Sequence, residues 1–301
     1  MRVANKTLYD GAIRNLGRTS LDMVEANEVV STSKRINDLS DDPVNLVKVL
    51  DLRSSIANLD QMERNISMGK SWLNASESAL TQVNDIIGAA KVLTVAMASD
   101  NVGATERANN ASLAQHYLEE IISLANSSTG GRYMFGGTNT DTVPFTLDTT
   151  DPLDPRVEYA GNDTAFSINI GKDTVIPVGK DGKDIFGTNW DDSNIFKTFI
   201  DLKTSLETND FTGIQDAMDK LDEHLKAVNA NVSDIGGKSI RLDVKKEIVA
   251  DLELTNTERI SDLEDADLAE AIIALKSKEL AYNAALSSSS KLMEMSLLNF
   301  L

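Results

Sequence analysis

The chain contains no cysteine among its 301 residues. Disulfides, thiol nucleophiles and thiolate metal sites are therefore excluded. Histidine is nearly absent. His116 and His224 stand alone in helical stretches, with no HExxH or other metal-ligand spacing. Both read as ordinary helix-surface residues, and a nucleophilic triad lacks its raw material. Basic residues are scarce: 29 Lys and Arg face 47 Asp and Glu, for a formal charge of −18. A surface so acidic repels a phosphate backbone or an anionic membrane, so neither nucleic acid nor membrane is expected as a partner. No run approaches 18 apolar residues, so no membrane span is expected. The N-terminus has no apolar stretch followed by a small-residue cleavage site, so no Sec-type signal peptide is expected. Aromatic residues make up only 5%, which favours helices packed along aliphatic and small-residue seams over a wide aromatic core.

Proline is confined to positions 43, 144, 152, 155 and 177. Long helices are thus permitted before about 130 and after about 190. Residues 3–36 read as an amphipathic helix whose seam runs through Tyr9, Ile13, Leu16, Ser20, Met23, Asn27 and Val30. The run Asn37 to Pro43 interrupts it, with Asp42 as N-cap and Pro43 at the first helical position. A long helix follows, with Ile66, Leu73, Leu80, Ile87 and Thr94 every seven residues. Gly69, Ser76, Val83, Ala90 and Met97 supply the second seam position. Ser99 to Asn101 breaks it. A further helix carries Leu113, Tyr117, Ile121 and Leu124, and Gly130-Gly131 is read as its stop.

Residues 132–192 hold turn signals and short β-rich runs. Arg156–Tyr159, Ala165–Ile170 and Thr174–Val178 are the strand candidates. Helices return near Asn194, with one apolar face of Phe196, Phe199, Ile200 and Leu206. Another is formed by Phe211, Ile214, Met218, Leu221, Leu225 and Val228. Gly236-Gly237 is read as a turn. A last tract from about 239 to 298 carries Leu268, Ile272, Leu275, Glu279, Tyr282, Leu286, Ser289, Met293 and Ser296, and its seam changes phase near 259–267.

The expected fold class is mainly α, an elongated helical bundle or coiled coil formed by both chain ends, with a small inserted β-rich domain. Three parts are expected. Residues 1–40 with 265–301 form a terminal coiled-coil assembly region. Residues 41–131 with 193–264 form a helical bundle, and 132–192 form an outward-facing β-rich insert. The terminal seams include Asn27, Glu279 and Ser289, too polar to hold an isolated pair together. These ends are expected to be disordered in the monomer and to fold against neighbouring copies.

No catalytic, cofactor-binding or metal-binding residue stands out. The glycine pairs at 130–131 and 136–137 lack P-loop spacing. Asp41-Asp42 is read as capping, since adjacent positions do not face one another. The acidic loops 148–154 and 179–184 lack the EF-hand oxygen pattern and read as solvated turns. The cluster Asp262 to Asp267 reads as a helix start that complements the macrodipole or, alternatively, as a recognition or assembly feature. An enzyme or small-ligand binder would need convergent titratable groups in a pocket, and none is visible.

Three ordered segments resemble the flagellin superfamily. Ser33-Lys-Arg-Ile-Asn-Asp-Leu-Ser-Asp-Asp-Pro43 resembles its SGKRI-N-x-x-x-DDP stretch, with Ser33 in place of the usual Gly. Gly131 to Thr140 with Pro144-Phe145 is similar to its G-x-Y-x-F-x-G-T segment. Asp262 to Glu270, continuing to Leu301, resembles its C-terminal assembly helix. The motif positions are Arg35, Asn37, Asp41, Asp42, Pro43, Gly131, Tyr133, Phe135, Gly137, Asp265, Asp267 and Glu270. The opening MRVANKTLYDGAIRNL and the ending SLLNFL resemble the branch that joins hook to filament; a minor or short filament flagellin is the alternative. The resemblance implies a secreted, extracellular structural subunit exported unfolded by the flagellar type III apparatus. Its implied partners are other copies of itself, the neighbouring hook-associated junction protein, flagellin and a cytoplasmic export chaperone. Its implied assembly residues are the seams Tyr9, Ile13, Leu16, Met23 and Val30, and Leu268, Ile272, Leu275, Tyr282, Leu286 and Met293.

Overall fold

A computed structural model describes residues 2–150, 155–171, 174–187, 190 and 193–298; the side chains of 2–5, 8 and 292–298 lie outside the described set. The loop residues 151–154, the side chain of Met293 and the tail 299–301 therefore fall outside it as well. The fold is mainly α, as expected, with small antiparallel strand pairs in a middle insert. Two compact units divide the chain: Met1–Leu59 with Asp251–Leu301, and Asp60–Ala250. Helix α1 is Arg2–Thr32, α2 Pro43–Met97, α3 Ala104–Ala125, α4 Gly182–Phe186, α5 Ile195–Thr208, α6 Phe211–Glu264 and α7 Leu268–Leu298. No helix among the described residues is long and apolar enough to cross a membrane.

In the Asp60–Ala250 unit the heptad positions of α2 form the spine of the core. Ile66, Leu73, Leu80, Ile87 and Thr94 are all buried, as are Gly69, Ser76, Val83, Ala90 and Met97. Helix α6 runs antiparallel to it, because partner numbers rise on one helix as they fall on the other. Glu63 pairs with Lys246 at 3.5 Å, Lys70 with Asp243, and Lys91 with Asp222. Ile214, Leu221, Val228, Ile235 and Leu242 supply the inward face of α6. The buried Arg107 of α3 closes one end of this unit. Its guanidinium donates to Met97 O at 2.8 Å, Ser99 O at 3.0 Å and Asn209 Oδ1 at 2.6 Å. These acceptors satisfy a charge that would otherwise be costly to bury.

Among the described residues the insert holds three two-stranded antiparallel pairs. They are β1 (Ser128–Thr129) with β2 (Arg132–Tyr133), β3 (Phe145–Asp148) with β4 (Arg156–Tyr159), and β5 (Ser167–Asn169) with β6 (Val175–Pro177). A compact aromatic cluster forms here. Phe145 lies 5.1 Å from Phe196, 5.3 Å from Phe186 and 5.0 Å from Tyr159, and Phe135 stands edge-on to Phe186 at 5.4 Å. The β5–β6 pair seats on α2 at Gly69, where an added Cβ would strike Ile168.

Several sequence expectations are corrected. Helix α3 ends at Ala125, and Gly130 and Gly131 make the β1–β2 turn with φ of 58° and 78°. Left-handed backbone there requires glycine more than a helix end did. Gly236-Gly237 is not a turn, since α6 continues through it. Two interior glycines cost about 1 kcal/mol each, offset by burial of Ile235 and Leu242 and by the Asp234–Lys238 pair at 3.0 Å. The tract from 239 to 298 is two helices, broken at 265–267. Strands β1, β2 and β3 were not anticipated, because two- to four-residue strands carry no readable alternation.

His224 is not a surface residue; it is buried, with Nε2 2.9 Å from Thr198 Oγ1. Burial, with Lys220 adding repulsion, pushes its imidazole down to about 4. The unfolded chain protonates this group near pH 6.5. The stability it contributes is complete above pH 6.5 and is lost as pH falls towards 4. We expect His224→Gln to flatten the decline in stability between pH 6.5 and 4 by about 3 kcal/mol. Urea unfolding followed by tryptophan emission at pH 7 and pH 4.5 checks this; an unchanged pH slope would refute it.

Candidate functional site

The motif residues near the two chain ends converge within the Met1–Leu59 and Asp251–Leu301 unit. After α1 the chain turns at Ser33, which takes the left-handed conformation with φ of 60°. That turn lays Lys34 antiparallel to Asp265. Arg35 N donates to Glu264 O at 2.7 Å, and Ala266 N donates to Ser33 O at 3.0 Å. The α1–α2 connector and the α6–α7 connector are thus joined as a minimal β-ladder.

Charge reinforces the joint. Glu264 is only 5% exposed. Lys34 Nζ lies 2.6 Å from its Oε1, and Arg53 Nη2 donates to both carboxylate oxygens at 2.7 Å. Arg35 Nη2 reaches the carbonyl of Leu263 at 2.7 Å, one of the acceptors a helix end leaves open. With its carboxylate out of water, Glu264 is costly to unpair, because removing a cation leaves a desolvated charge.

The remaining motif residues start helices or brace the connectors. Asp42 Oδ1 accepts from Asn45 N at 3.0 Å, with Pro43 next, so α2 begins as expected. Asp41 Oδ2 accepts from Asn37 N and Asp38 N, each at 2.9 Å. Backbone donors hold both carboxyls below the ordinary range: from Asp38 and Asn37 for Asp41, and chiefly from Asn45 for Asp42. Asn37 Nδ2 donates to Lys34 O at 3.0 Å. Asp267 Oδ1 accepts from Ala269 N at 2.8 Å and Glu270 N at 3.3 Å, capping α7. Asp265 accepts from Ser261 Oγ at 2.5 Å.

Beyond this joint α1 and α7 pack antiparallel. Asp22 and Lys278 pair at 2.9 Å, and Ala12, Asn15 and Thr19 line one groove with Ala281, Ala285 and Ser289. Small side chains let the two backbones come close. Of the seam residues, Leu16, Met23, Val30, Leu275 and Tyr282 are half-buried. Tyr9 and Ile13 remain 49% exposed, and Leu268, Ile272 and Leu286 are similarly open. Gly131, Tyr133, Phe135 and Gly137 belong to the other unit. Phe135 is fully buried in the aromatic cluster, Gly137 has φ of 69°, and Tyr133 N donates to Thr140 O at 2.8 Å.

Sequence reasoning missed Glu264 and Arg53, which lie 211 positions apart. The change of seam phase near 259–267 marked the place but not the partner. Ser33→Gly should stabilise this joint by about 1 kcal/mol, because glycine enters the left-handed region without the Cβ clash. Glu264→Gln should destabilise it by about 1–3 kcal/mol, leaving Arg53 and Lys34 without their anion. Hydrogen exchange resolved by residue checks both: protection in 2–59 and 251–298 should rise for the first and fall for the second, with 60–250 unchanged.

The bacterial flagellin N-terminal helical region matches residues 3–140, and the bacterial flagellin C-terminal helical region matches residues 218–301. Flagellar hook-associated protein 3 of Salmonella typhimurium is 24% identical, over 99% of this chain and 98% of its own. Flagellar hook-associated protein 3 of Escherichia coli is 24% identical, over 89% of each chain. A solved structure described as a flagellar hook-associated protein from Vibrio parahaemolyticus superposes with a TM-score of 0.68 at 20% identity. That match covers 75% of this chain and 100% of the other. The matched regions contain both connectors, the capping aspartates and both end helices, and together they span well over half of the sequence: the chain belongs to the flagellin family of bacterial flagellar structural proteins.

Proposed function

We propose that this chain is the structural subunit joining the flagellar hook to the flagellin filament, and that it polymerises through its terminal helices. One observation carries the reading: α1 and α7 pack on each other while their apolar seam residues stay half open. Aliphatic surface of this kind gains about 25 cal/mol per Å² when covered, and covering it takes neighbouring copies. Relatives named hook-associated protein 3 align along nearly the whole chain, which favours the joint over the filament shaft. A short filament flagellin is the second reading, favoured by the flagellin description of both matched regions.

On this reading residues 1–40 with 265–301 are the assembly region, 41–131 with 193–264 the bundle, and 132–192 the outward-facing insert. Partners are other copies of the chain, the neighbouring hook-associated junction protein, flagellin and an export chaperone on the C-terminal helix. The subunit leaves the cell unfolded and works outside it, in the flagellum. Its role is mechanical and calls for no catalysis, cofactor or metal.

Deleting the gene and imaging the cells separates the readings. The junction role predicts flagellin released as monomers with no attached filament; normal filaments built from other flagellins would overturn it. In the purified monomer, residues 1–40 and 265–301 should be cleaved by protease well before the middle of the chain. Full protection of both ends in a proven monomer would contradict assembly-coupled folding.

A further inference from the structure

Two stripes on the outer surface of the Asp60–Ala250 unit are not covered by any of the described residues. On α6, Ile240 is 66% exposed, with Val244 and Ile248 also open at four-residue intervals. Such an i+4 row is the ridge by which helices interlock. Arg241 and Lys245 flank it, and neither has an ion-pair or hydrogen-bond partner among the described residues; Glu247 lies on the opposite edge. On α2, Val92 is 71% exposed and Val95 is open. Asp85, two turns earlier on the same face, and Asp100, just past the helix end, are exposed and likewise unpaired.

Each stripe also contains a helical glycine that the chain does not explain. An added Cβ at Gly88 or at Gly237 would meet no atom within 4 Å, and neither residue has positive φ. Close packing within the chain and special backbone geometry are the usual reasons for glycine, and both are missing. Each glycine weakens its helix by about 1 kcal/mol. Close approach of another backbone is the reason that remains.

We propose that residues 237–248 of α6 dock against the outer face of α2, residues 85–95, of a second copy of this chain. The two stripes match in chemistry: aliphatic ridge to aliphatic ridge, unpaired cations to unpaired carboxylates, glycine beside glycine. Their lengths match as well, about 12 Å from Ile240 to Ile248 and about 15 Å from Asp85 to Val95. Made once between each pair of copies, with α6 of one on α2 of the next, the contact is head-to-tail and can propagate. It rests on the reading that copies of this chain assemble.

The absence of native cysteine makes the test direct. Flagella would be isolated from cells carrying Val92→Cys with Val244→Cys in place of the wild-type chain, and oxidised. A ladder of cross-linked chains is expected, at least about tenfold above either single variant. Chain present in flagella without a ladder overturns the docking alone; chain absent from flagella overturns the assembly reading with it. Dimers from Val244→Cys alone would replace the head-to-tail contact by a symmetric one and overturn the proposal. Independently, Arg241→Glu with Lys245→Glu should cut incorporation about tenfold, and adding Asp85→Lys with Asp100→Lys should restore it. Failure of that rescue, with circular dichroism unchanged, counts against the pairing.

Discussion

Two backbone hydrogen bonds, Arg35 N to Glu264 O and Ala266 N to Ser33 O, tie together connectors more than 220 positions apart. The arrangement of the chain ends depends on them. A pair of bonds this short could not hold two helices by itself, since each contributes about 1 kcal/mol net. Its strength comes from the side chains gathered over it. Glu264 is anchored by Arg53 from α2 and Lys34 from the opposite connector, and Arg35 occupies a carbonyl at the end of α6. Ser33 accepts left-handed backbone so that Lys34 can lie antiparallel to Asp265. The strain at Ser33 is the cost of making that turn without glycine.

The two packed regions use different chemistry. The core of the Asp60–Ala250 unit is made from large aliphatic side chains at heptad spacing and a compact group of phenylalanines. Every predicted position on the α2 seam between Ile66 and Met97 is buried there. Helices α1 and α7 instead meet through small residues interleaved with half-buried Leu16, Met23, Val30, Leu275 and Tyr282, with an exposed ion pair between Asp22 and Lys278. Small residues allow close approach but remove little apolar area from water. A joint made that way holds its register while leaving its larger aliphatic residues available to other surfaces.

Much of this was legible from the residues. Asp42 before Pro43 announced the start of α2, because a carboxylate acceptor and a residue without an N–H suit a helix N-terminus. The α2 seam was readable because a buried helix face repeats at a fixed interval. Gly236-Gly237 misled, because glycine weakens a helix without forbidding it and the flanking burial prevailed. His224 misled because one histidine in a helix gives no sign of which way it faces.

The helical class, the place of the insert, the Asp42 cap and the absence of any thiol or histidine-rich centre are readable from the residues alone. These follow from local rules: backbone propensity, side-chain periodicity and the chemistry a residue type can or cannot supply. Only the tertiary structure decided that Glu264 faces Arg53 and Lys34, that Arg107 closes the α2–α3 end, and that Ser33 carries the left-handed turn. Each of these is a pairing between distant positions, and an ion pair or a β-bridge leaves no periodic trace along the chain. It exists only once folding has brought the two partners within a hydrogen bond of each other.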